Sequence, residues 1–206
     1  MDPELARRRA DAEPRLDALA RSMQGCTRCG LCEGRTQLVF GQGDAAAEVA
    51  FVGEAPGFHE DQQGLAFVGP AGQLLSKMIE AMGLAREDAF ICNVTKCRPP
   101  GNRTPTPAEM GTCLPFLQEQ LTIVRPRVIC ALGKTAAVGL GLLRPDEGIT
   151  RARGQWKTWR GIPAMITFHP AYLLRQPQEK RKVWEDLQAL FPYLSRRKPA
   201  PRPGGS

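Results

Sequence analysis

The chain has no long apolar segment. Its longest stretch without Asp, Glu, Lys or Arg covers only residues 62–76, and glycine and proline interrupt it. A membrane-spanning helix needs about 20 consecutive apolar residues, so the sequence excludes an α-helical membrane protein. Residues 1–4 lead into Arg7-Arg8-Arg9 without an apolar stretch, unlike a secretory signal. We therefore expect a cytoplasmic protein.

Histidine, tyrosine and asparagine are scarce, each occurring twice in 206 residues. Acidic residues are also in the minority, with 21 Asp and Glu against 28 Lys and Arg, which gives a formal net charge of +7. This excess suits a polyanionic partner such as nucleic acid but does not identify one. Hydrophobic residues make up 42% of the chain, enough to form a core, so extensive disorder is excluded.

Short apolar runs alternate with helical patterns along the chain. Buried strands are predicted at 48–53, 89–94, 127–132 and 162–168, with a further strand at 156–159. Helices are predicted over 4–24, 70–83, 106–124, 134–143 and 179–193. This alternation predicts an α/β fold: a three-layer α/β/α sandwich with a central, mainly parallel four-stranded sheet.

The length fits one domain of ordinary size, and the alternating pattern extends to about residue 194. The sequence thus predicts a single domain over residues 1–194. Residues 195–206 are basic and rich in proline and glycine, so we expect them to form a disordered tail.

Ligands of parallel sheets bind at the loops that follow the carboxyl ends of the strands. The loop after the first strand, at 53–61, reads Gly-Glu-Ala-Pro-Gly-Phe-His-Glu-Asp and carries three carboxylates. The second begins with Asn93 at the end of its strand, and the third, at 169–175, reads His-Pro-Ala-Tyr-Leu-Leu-Arg. The first loop lacks the Lys-Ser/Thr ending of a phosphate-binding loop.

Seven cysteines in a reducing compartment favour metal ligands, nucleophiles or buried residues over disulfides. Cys26 and Cys29 form a C-x2-C pair, and Cys97 and Cys113 lie far downstream. Four such thiolates can bind zinc or an iron–sulfur cluster, and spacing alone does not decide between these. Cys32 extends the first pair and competes as a ligand. Cys92 and Cys130, inside apolar strands, are interpreted as core residues.

The three loops, in this order, resemble the family 4 uracil-DNA glycosylases. The matching stretches are 53–57 with 60–61, 67–75, 93–100 with 102–103, and 169–175. The resemblance extends from about residue 26 to residue 191. Each stretch is weak evidence by itself, but the combination is highly specific.

The resemblance implies a uracil-DNA glycosylase-like fold and an enzyme of base-excision repair. Such an enzyme flips uracil out of DNA and hydrolyses the N-glycosidic bond, leaving an abasic site. The implied partner is uracil-containing DNA, single- or double-stranded, with no membrane and no obligate protein partner. The family carries a [4Fe–4S] cluster, and its four ligand positions match Cys26, Cys29, Cys97 and Cys113. Cys32 lies outside the family pattern.

Residue roles also follow from the resemblance. Asn93 matches the residue that reads uracil through its amide, Phe67 the aromatic that stacks on the flipped base, and Ala55 a position in the uracil pocket. His169 matches the histidine that donates to uracil O2 as negative charge develops. By residue type alone, Asn93 would be interpreted as a strand-end cap and Phe67 as core packing.

The remaining assignments are less tightly specified by the sequence. Leu173 or Leu174 is a candidate wedge that fills the space left by the flipped base, although both leucines suit a buried turn. Arg175 and Arg103 are candidate DNA contacts, Arg175 through a phosphate.

The sequence leaves open which carboxylate positions the attacking water. The related family 1 uses an Asp in the motif after the first strand, whereas residue 55 is Ala here, so the acids nearby in the loop are the candidates to position water or stabilise the cation. Glu54 is favoured, Glu60 follows closely, and Asp61 is interpreted as a residue that structures the loop.

Two other classes compete with the glycosylase. Some relatives in the superfamily bind uracil-DNA and trap it covalently, using a histidine in a basic insert after the second strand. The corresponding loop here, 97–105, has no histidine and no insert. An electron-transfer protein would explain the cysteines, but it would not require Asn93, Phe67 and His169 to fall at three adjacent loops.

Overall fold

The computed structural model describes residues 3–195, and its framework is a six-stranded sheet. The strands are β1 (Gln42–Gly43), β2 (Val49–Gly53), β3 (Phe90–Asn93), β4 (Val128–Leu132), β5 (Trp156–Trp159) and β6 (Ile162–Thr167). They are ordered β1-β3-β2-β4-β6-β5, and the central four, β3-β2-β4-β6, are parallel. β1 and β5 pair antiparallel at the two edges.

Eight α-helices accompany the sheet in the described residues. They are α1 (Pro3–Met23), α2 (Phe58–Gln63), α3 (Pro70–Ala81), α4 (Pro107–Val124), α5 (Lys134–Gly139), α6 (Ile149–Ala152), α7 (Pro170–Arg175) and α8 (Lys180–Gln188). One core cluster contains buried residues of α1, α4 and α5, and a second contains those of α3, α7 and α8. Helices therefore cover both faces of the sheet.

Strand β2 shows why the two faces separate. Ala50 and Val52 belong to the first core cluster, while Val49 and Phe51 belong to the second. Successive strand side chains point to opposite faces, so an uninterrupted apolar run is the pattern of a strand covered on both sides. The predicted three-layer α/β/α architecture is confirmed.

The sheet has six strands, whereas a four-stranded sheet was predicted; β5 coincides with the further strand predicted at 156–159, and β1 was not predicted. The four central parallel strands coincide with the four main apolar runs, and the additional strands are antiparallel edges. β1 contains only Gln42 and Gly43, which is too short for any periodicity to be seen. Gly43 has φ of +120°, and a Cβ there would lie 1.8 Å from the Ala89 carbonyl oxygen, so this edge pairing requires glycine.

Two short helices occupy segments that were expected to be loops. α2 begins after Gly57, and α7 begins after His169, which caps it. Each has six residues, less than two full turns, so neither gives a helical repeat in the sequence. α2 contains Glu60 and α7 contains Leu173, Leu174 and Arg175, so these short helices set the directions of several predicted site side chains.

The described residues 3–195 contain no helix that is long and apolar enough to cross a membrane. Of the expected disordered tail, residues 196–206 lie outside the described part of the chain. Ser195 is fixed, because its backbone N–H and hydroxyl both donate to the Glu48 carboxylate.

Candidate active site

The loops after β2, β3 and β6 meet around one cavity of about 430 Å³. Because these strands are parallel, their carboxyl ends lie at the same edge of the sheet. All the predicted catalytic, uracil-binding and DNA-binding residues line this cavity except the two leucines. A cavity of this size is typical of small-molecule sites.

Asn93, the last residue of β3, is 2% exposed, and its Oδ1 has no hydrogen-bond partner among the described residues. A buried acceptor without a donor is costly, so the site is incomplete without a ligand that supplies one. Gly53 pairs with Asn93 in the sheet register. A Cβ on Gly53 would lie 2.4 Å from both Asn93 Oδ1 and the Phe67 ring, so only glycine fits there.

Phe67 adopts a backbone conformation that non-glycine residues rarely use, with φ of +54°. Its ring centroid lies 5.6 Å from that of His169 across the cavity. Arg86 donates to the carbonyl oxygens of Ala66 and Phe67, at 2.8 and 3.0 Å, and thereby holds the unusual turn. The ring is consequently presented to the cavity on a fixed backbone.

His169 is a neutral hydrogen-bond donor by its surroundings. Its Nδ1 accepts a hydrogen bond from the Ala171 backbone N–H at 3.1 Å, so in the neutral ring the proton is on Nε2. Burial lowers the pKa of His169 to about 4, and the nearby charge of Arg175 acts in the same direction. Nε2–H is thus available to a ligand at neutral pH.

The two candidate carboxylates differ sharply in their surroundings. Glu60 is buried, and its oxygens accept from the backbone N–H groups of Gly57, Val68 and Gly69, at 3.1, 2.8 and 2.8 Å. Within residues 3–195, the Glu54 carboxylate lines the cavity and has no hydrogen-bond or ion-pair partner. The hydrogen bonds of Glu60 thus hold the loop over 57–69 together. Glu54 is the carboxylate that is available to a ligand, so the geometry favours it as the catalytic residue.

Asp61 accepts from the backbone N–H of Thr36 at 2.9 Å and from that of Gln37 at 3.4 Å. This agrees with its interpretation as a residue that structures the loop.

The adjacent leucines have opposite surroundings. Leu173 is 1% exposed and belongs to the second core cluster, so its side chain cannot reach DNA. The prediction that Leu173 contacts DNA is therefore wrong. Leu174 is 46% exposed, which leaves it as the candidate wedge. Arg175 lines the cavity. Arg103 also lines it but forms an ion pair with Glu109, which lies at 2.7 Å and whose pKa it lowers to about 2.

Cys26, Cys29, Cys97 and Cys113 line one small cavity at the amino-terminal side of α4, and Cys32 lines it too. Arg35 donates to the Cys97 sulfur at 3.3 Å and to the Cys26 carbonyl oxygen at 2.6 Å. Burial raises the pKa of Cys113 to about 11. Within residues 3–195, no three His, Cys, Asp or Glu side chains form a group that holds a single metal ion.

The donor set at this cavity fits an iron–sulfur cluster, because thiols from three segments face one space and an N–H donor reaches one of the sulfurs. Cys92 and Cys130 are fully buried, which confirms their interpretation as core residues.

Comparison with known proteins identifies the relatives of the chain. The uracil DNA glycosylase superfamily matches residues 40–188. A type-4 uracil-DNA glycosylase from Thermotoga maritima is 42% identical over 187 residues, which cover 89% of this chain and 97% of the relative. Type-4 enzymes from Archaeoglobus fulgidus and Saccharolobus solfataricus are 39% and 40% identical over 190 and 187 residues, covering 89% and 87% of this chain and 96% and 87% of theirs.

The chain belongs to the type-4 uracil-DNA glycosylases. The resemblance seen in the three loops is thereby confirmed, and the fold is that of the superfamily.

Three features of this type-4 chain could not be predicted from its sequence. Arg86 has no motif that would reveal its contact with Phe67. Phe58 is 50% exposed, and the Arg98 guanidinium lies 5.1 Å from its ring centroid, an arrangement that no sequence spacing indicates. Lys96 is fully buried, although lysine is among the residue types least often found fully buried.

We predict that His169 stays neutral in the folded protein until the pH falls well below 6. Its folded-state pKa of about 4 is below the usual value of 6.5, so the unfolded chain binds this proton first. The free energy of unfolding should therefore fall as pH decreases from about 6.5 towards 4, with a slope of at most roughly 1.4 kcal/mol per pH unit. Urea denaturation between pH 7 and 5 measures it. His169→Gln is the control, and an identical pH dependence in that variant would contradict the prediction.

Proposed function

We propose that this chain flips uracil out of DNA and hydrolyses its N-glycosidic bond, leaving an abasic site for base-excision repair. The observation that supports this most directly is Asn93 Oδ1, which has no hydrogen-bond partner within residues 3–195 and is buried in a cavity that also contains a neutral histidine. The named activity of the type-4 relatives agrees with it. The substrate is uracil-containing DNA, single- or double-stranded, and the compartment proposed from the sequence is the cytoplasm.

Asn93 is proposed to read the base. Its Oδ1 accepts from uracil N3–H and its amide nitrogen donates to O4, so one side chain matches both groups. Cytosine presents the opposite donor and acceptor pattern there and would leave buried groups unpaired, which discriminates strongly. Phe67 provides the stacking surface, and Ala55 lines the same cavity without a side chain that would fill it.

The proposed chemistry separates two developing charges. As the glycosidic bond breaks, uracil becomes negative, and the Nε2–H of His169 donates to its O2. The sugar becomes positive, and Glu54 stabilises that charge and positions the attacking water. Glu54 is suited to this because its carboxylate is not engaged by the described residues. The lowered pKa of His169 keeps the imidazole a neutral donor, so no proton has to be taken up before the bond breaks.

Leu174, Arg175 and Arg103 are proposed to contact the DNA. Leu174 is exposed, while the preceding residue of α7, Leu173, is buried. Leu174 can therefore fill the space left by the flipped base. Arg175 and Arg103 lie at the cavity, where a guanidinium can bind a backbone phosphate. For Arg103 this requires sharing or breaking its ion pair with Glu109.

Cys26, Cys29, Cys97 and Cys113 are proposed to hold a [4Fe–4S] cluster. When bound, the cluster supplies a cross-link between the segment after α1, the loop after β3 and helix α4. One of the proposed ligands, Cys97, directly follows the turn over 93–96 that carries Asn93. We therefore assign the cluster a structural role and no redox step on the substrate. Cys32 lines the same cavity and is outside the proposed ligand set.

The function is tested by uracil release from single- and double-stranded oligonucleotides under single-turnover conditions. The wild-type chain should release free uracil and leave alkali-sensitive abasic DNA. Asn93→Asp should lower the rate strongly, because a carboxylate lacks the donor for O4. A protein that trapped DNA covalently would instead give a denaturant-resistant adduct and no free uracil. Full activity in Asn93→Ala would show that the amide does not read the base.

Glu54→Gln and Glu60→Gln separate catalysis from loop structure. Glu54→Gln should lower the single-turnover rate by roughly 100-fold or more while the melting temperature stays unchanged. Glu60→Gln should lower the melting temperature, because the amide provides one acceptor oxygen where the carboxylate provides two for three N–H groups. The assignment passes to Glu60 if Glu60→Gln abolishes cleavage with a native melting temperature and Glu54→Gln is silent.

The cluster is tested by chemical analysis and visible absorbance. Purified protein should be yellow-brown, with about four iron and four sulfide per chain. Cys113→Ser should lose iron and stability, and Cys32→Ser, at a cysteine of the same cavity, is the matched control that should keep both. A colourless, zinc-containing and fully active protein would refute the cluster.

A further inference from the structure

Lys96 is an unusual residue in this fold because it is a fully buried lysine. Its Nζ donates to the Asn93 carbonyl oxygen at 2.7 Å and to Gln120 Oε1 at 2.5 Å. Neither of these acceptors is a carboxylate. Burying an amino group away from water is costly unless its hydrogen bonds are made, so these two acceptors determine where the side chain can lie.

The network continues on both sides of Lys96. The Gln120 side-chain amide, on α4, donates to the Phe40 carbonyl oxygen at 2.8 Å. The Lys96 carbonyl oxygen accepts from the Val39 N–H at 2.8 Å. The turn over 93–96 is therefore attached to α4 and to the segment at 39–40 by buried and partly buried hydrogen bonds.

This attachment acts at the carboxyl end of β3, where the Val94 N–H still donates to the Gly53 carbonyl oxygen at 3.0 Å and Lys96 holds the carbonyl side of the same peptide group. Asn93 is the last residue of β3, and its own side-chain oxygen has no partner among the described residues that would orient it. The direction of the amide then depends on the Asn93 backbone and on contact with Gly53 and Phe67. The Lys96 amino group holds that backbone through the carbonyl oxygen.

We propose that Lys96 is a positioning residue for uracil recognition, which acts by fixing the peptide group of Asn93, with Gln120 as its anchor on α4. This inference rests on the proposed function of Asn93. Lys96 also lines the cavity that the cysteines surround, and it directly precedes Cys97 in the chain. One residue thus connects the proposed cluster site with the base-reading amide.

The test compares Lys96→Met, Gln120→Leu and the exposed-lysine control Lys77→Met as iron-loaded proteins. Four quantities are measured: the single-turnover rate, the Kd for free uracil by calorimetry, the affinity for abasic DNA, and the iron content with visible absorbance. Lys96→Met should raise the Kd for free uracil and lower the rate by similar factors of roughly 10 to 100. Its affinity for abasic DNA and its iron content should not change, and Gln120→Leu should show the same pattern more weakly.

A double-mutant cycle with Asn93→Ala distinguishes positioning from a general structural role. In the Asn93→Ala background, Lys96→Met should have no further effect on uracil binding. Unchanged uracil binding in Lys96→Met, or additive effects in the cycle, would overturn the proposal. Loss of iron in both Lys96→Met and Gln120→Leu would also overturn it, because the network would then serve the cysteines. Failure of the wild-type chain to release uracil refutes the proposed function, an outcome separate from these.

Discussion

The close contact of three groups at Gly53 is the constraint on which the rest of the cavity depends. The Asn93 side chain and the Phe67 ring both occupy the space where any other residue would place its Cβ. This contact brings the ends of two parallel strands and a distant loop to one point. The backbone of each must then be held from its far side, because none of the three can move without displacing another.

Buried and half-buried polar side chains provide that support, each through main-chain groups. Glu60 accepts from three backbone N–H groups of its loop. Arg86 holds the carbonyl groups that flank the strained Phe67, and Lys96 holds the carbonyl group of Asn93. These residues resemble catalytic groups in type and location, but their hydrogen bonds hold main-chain groups in place. Glu54, whose carboxylate has no such bonds in the described chain, is the exception.

The sequence predicted the central strands because each is buried on both sides and so forms an uninterrupted apolar run. It could not predict β1, which has two residues, or α2 and α7, which are shorter than the repeat that reveals a helix. Residue type and loop position found the cavity, and the resemblance to a family supplied the individual roles. Neither could separate Glu54 from Glu60, or Leu173 from Leu174. In both pairs the chemical type is the same, and the difference lies in which backbone groups or core residues surround each side chain.

The two leucines of α7 have a consequence for how DNA would be engaged. Leu173 is packed in the core, so the turn that carries Leu174 is ordered before any ligand arrives. A side chain on such a turn loses little further conformational entropy when it enters a base stack, unlike one on a loop that must first become ordered. Insertion would then be limited by the opening of the base pair and not by the protein. The preference of the enzyme among paired and unpaired uracils would follow the local stability of the DNA itself.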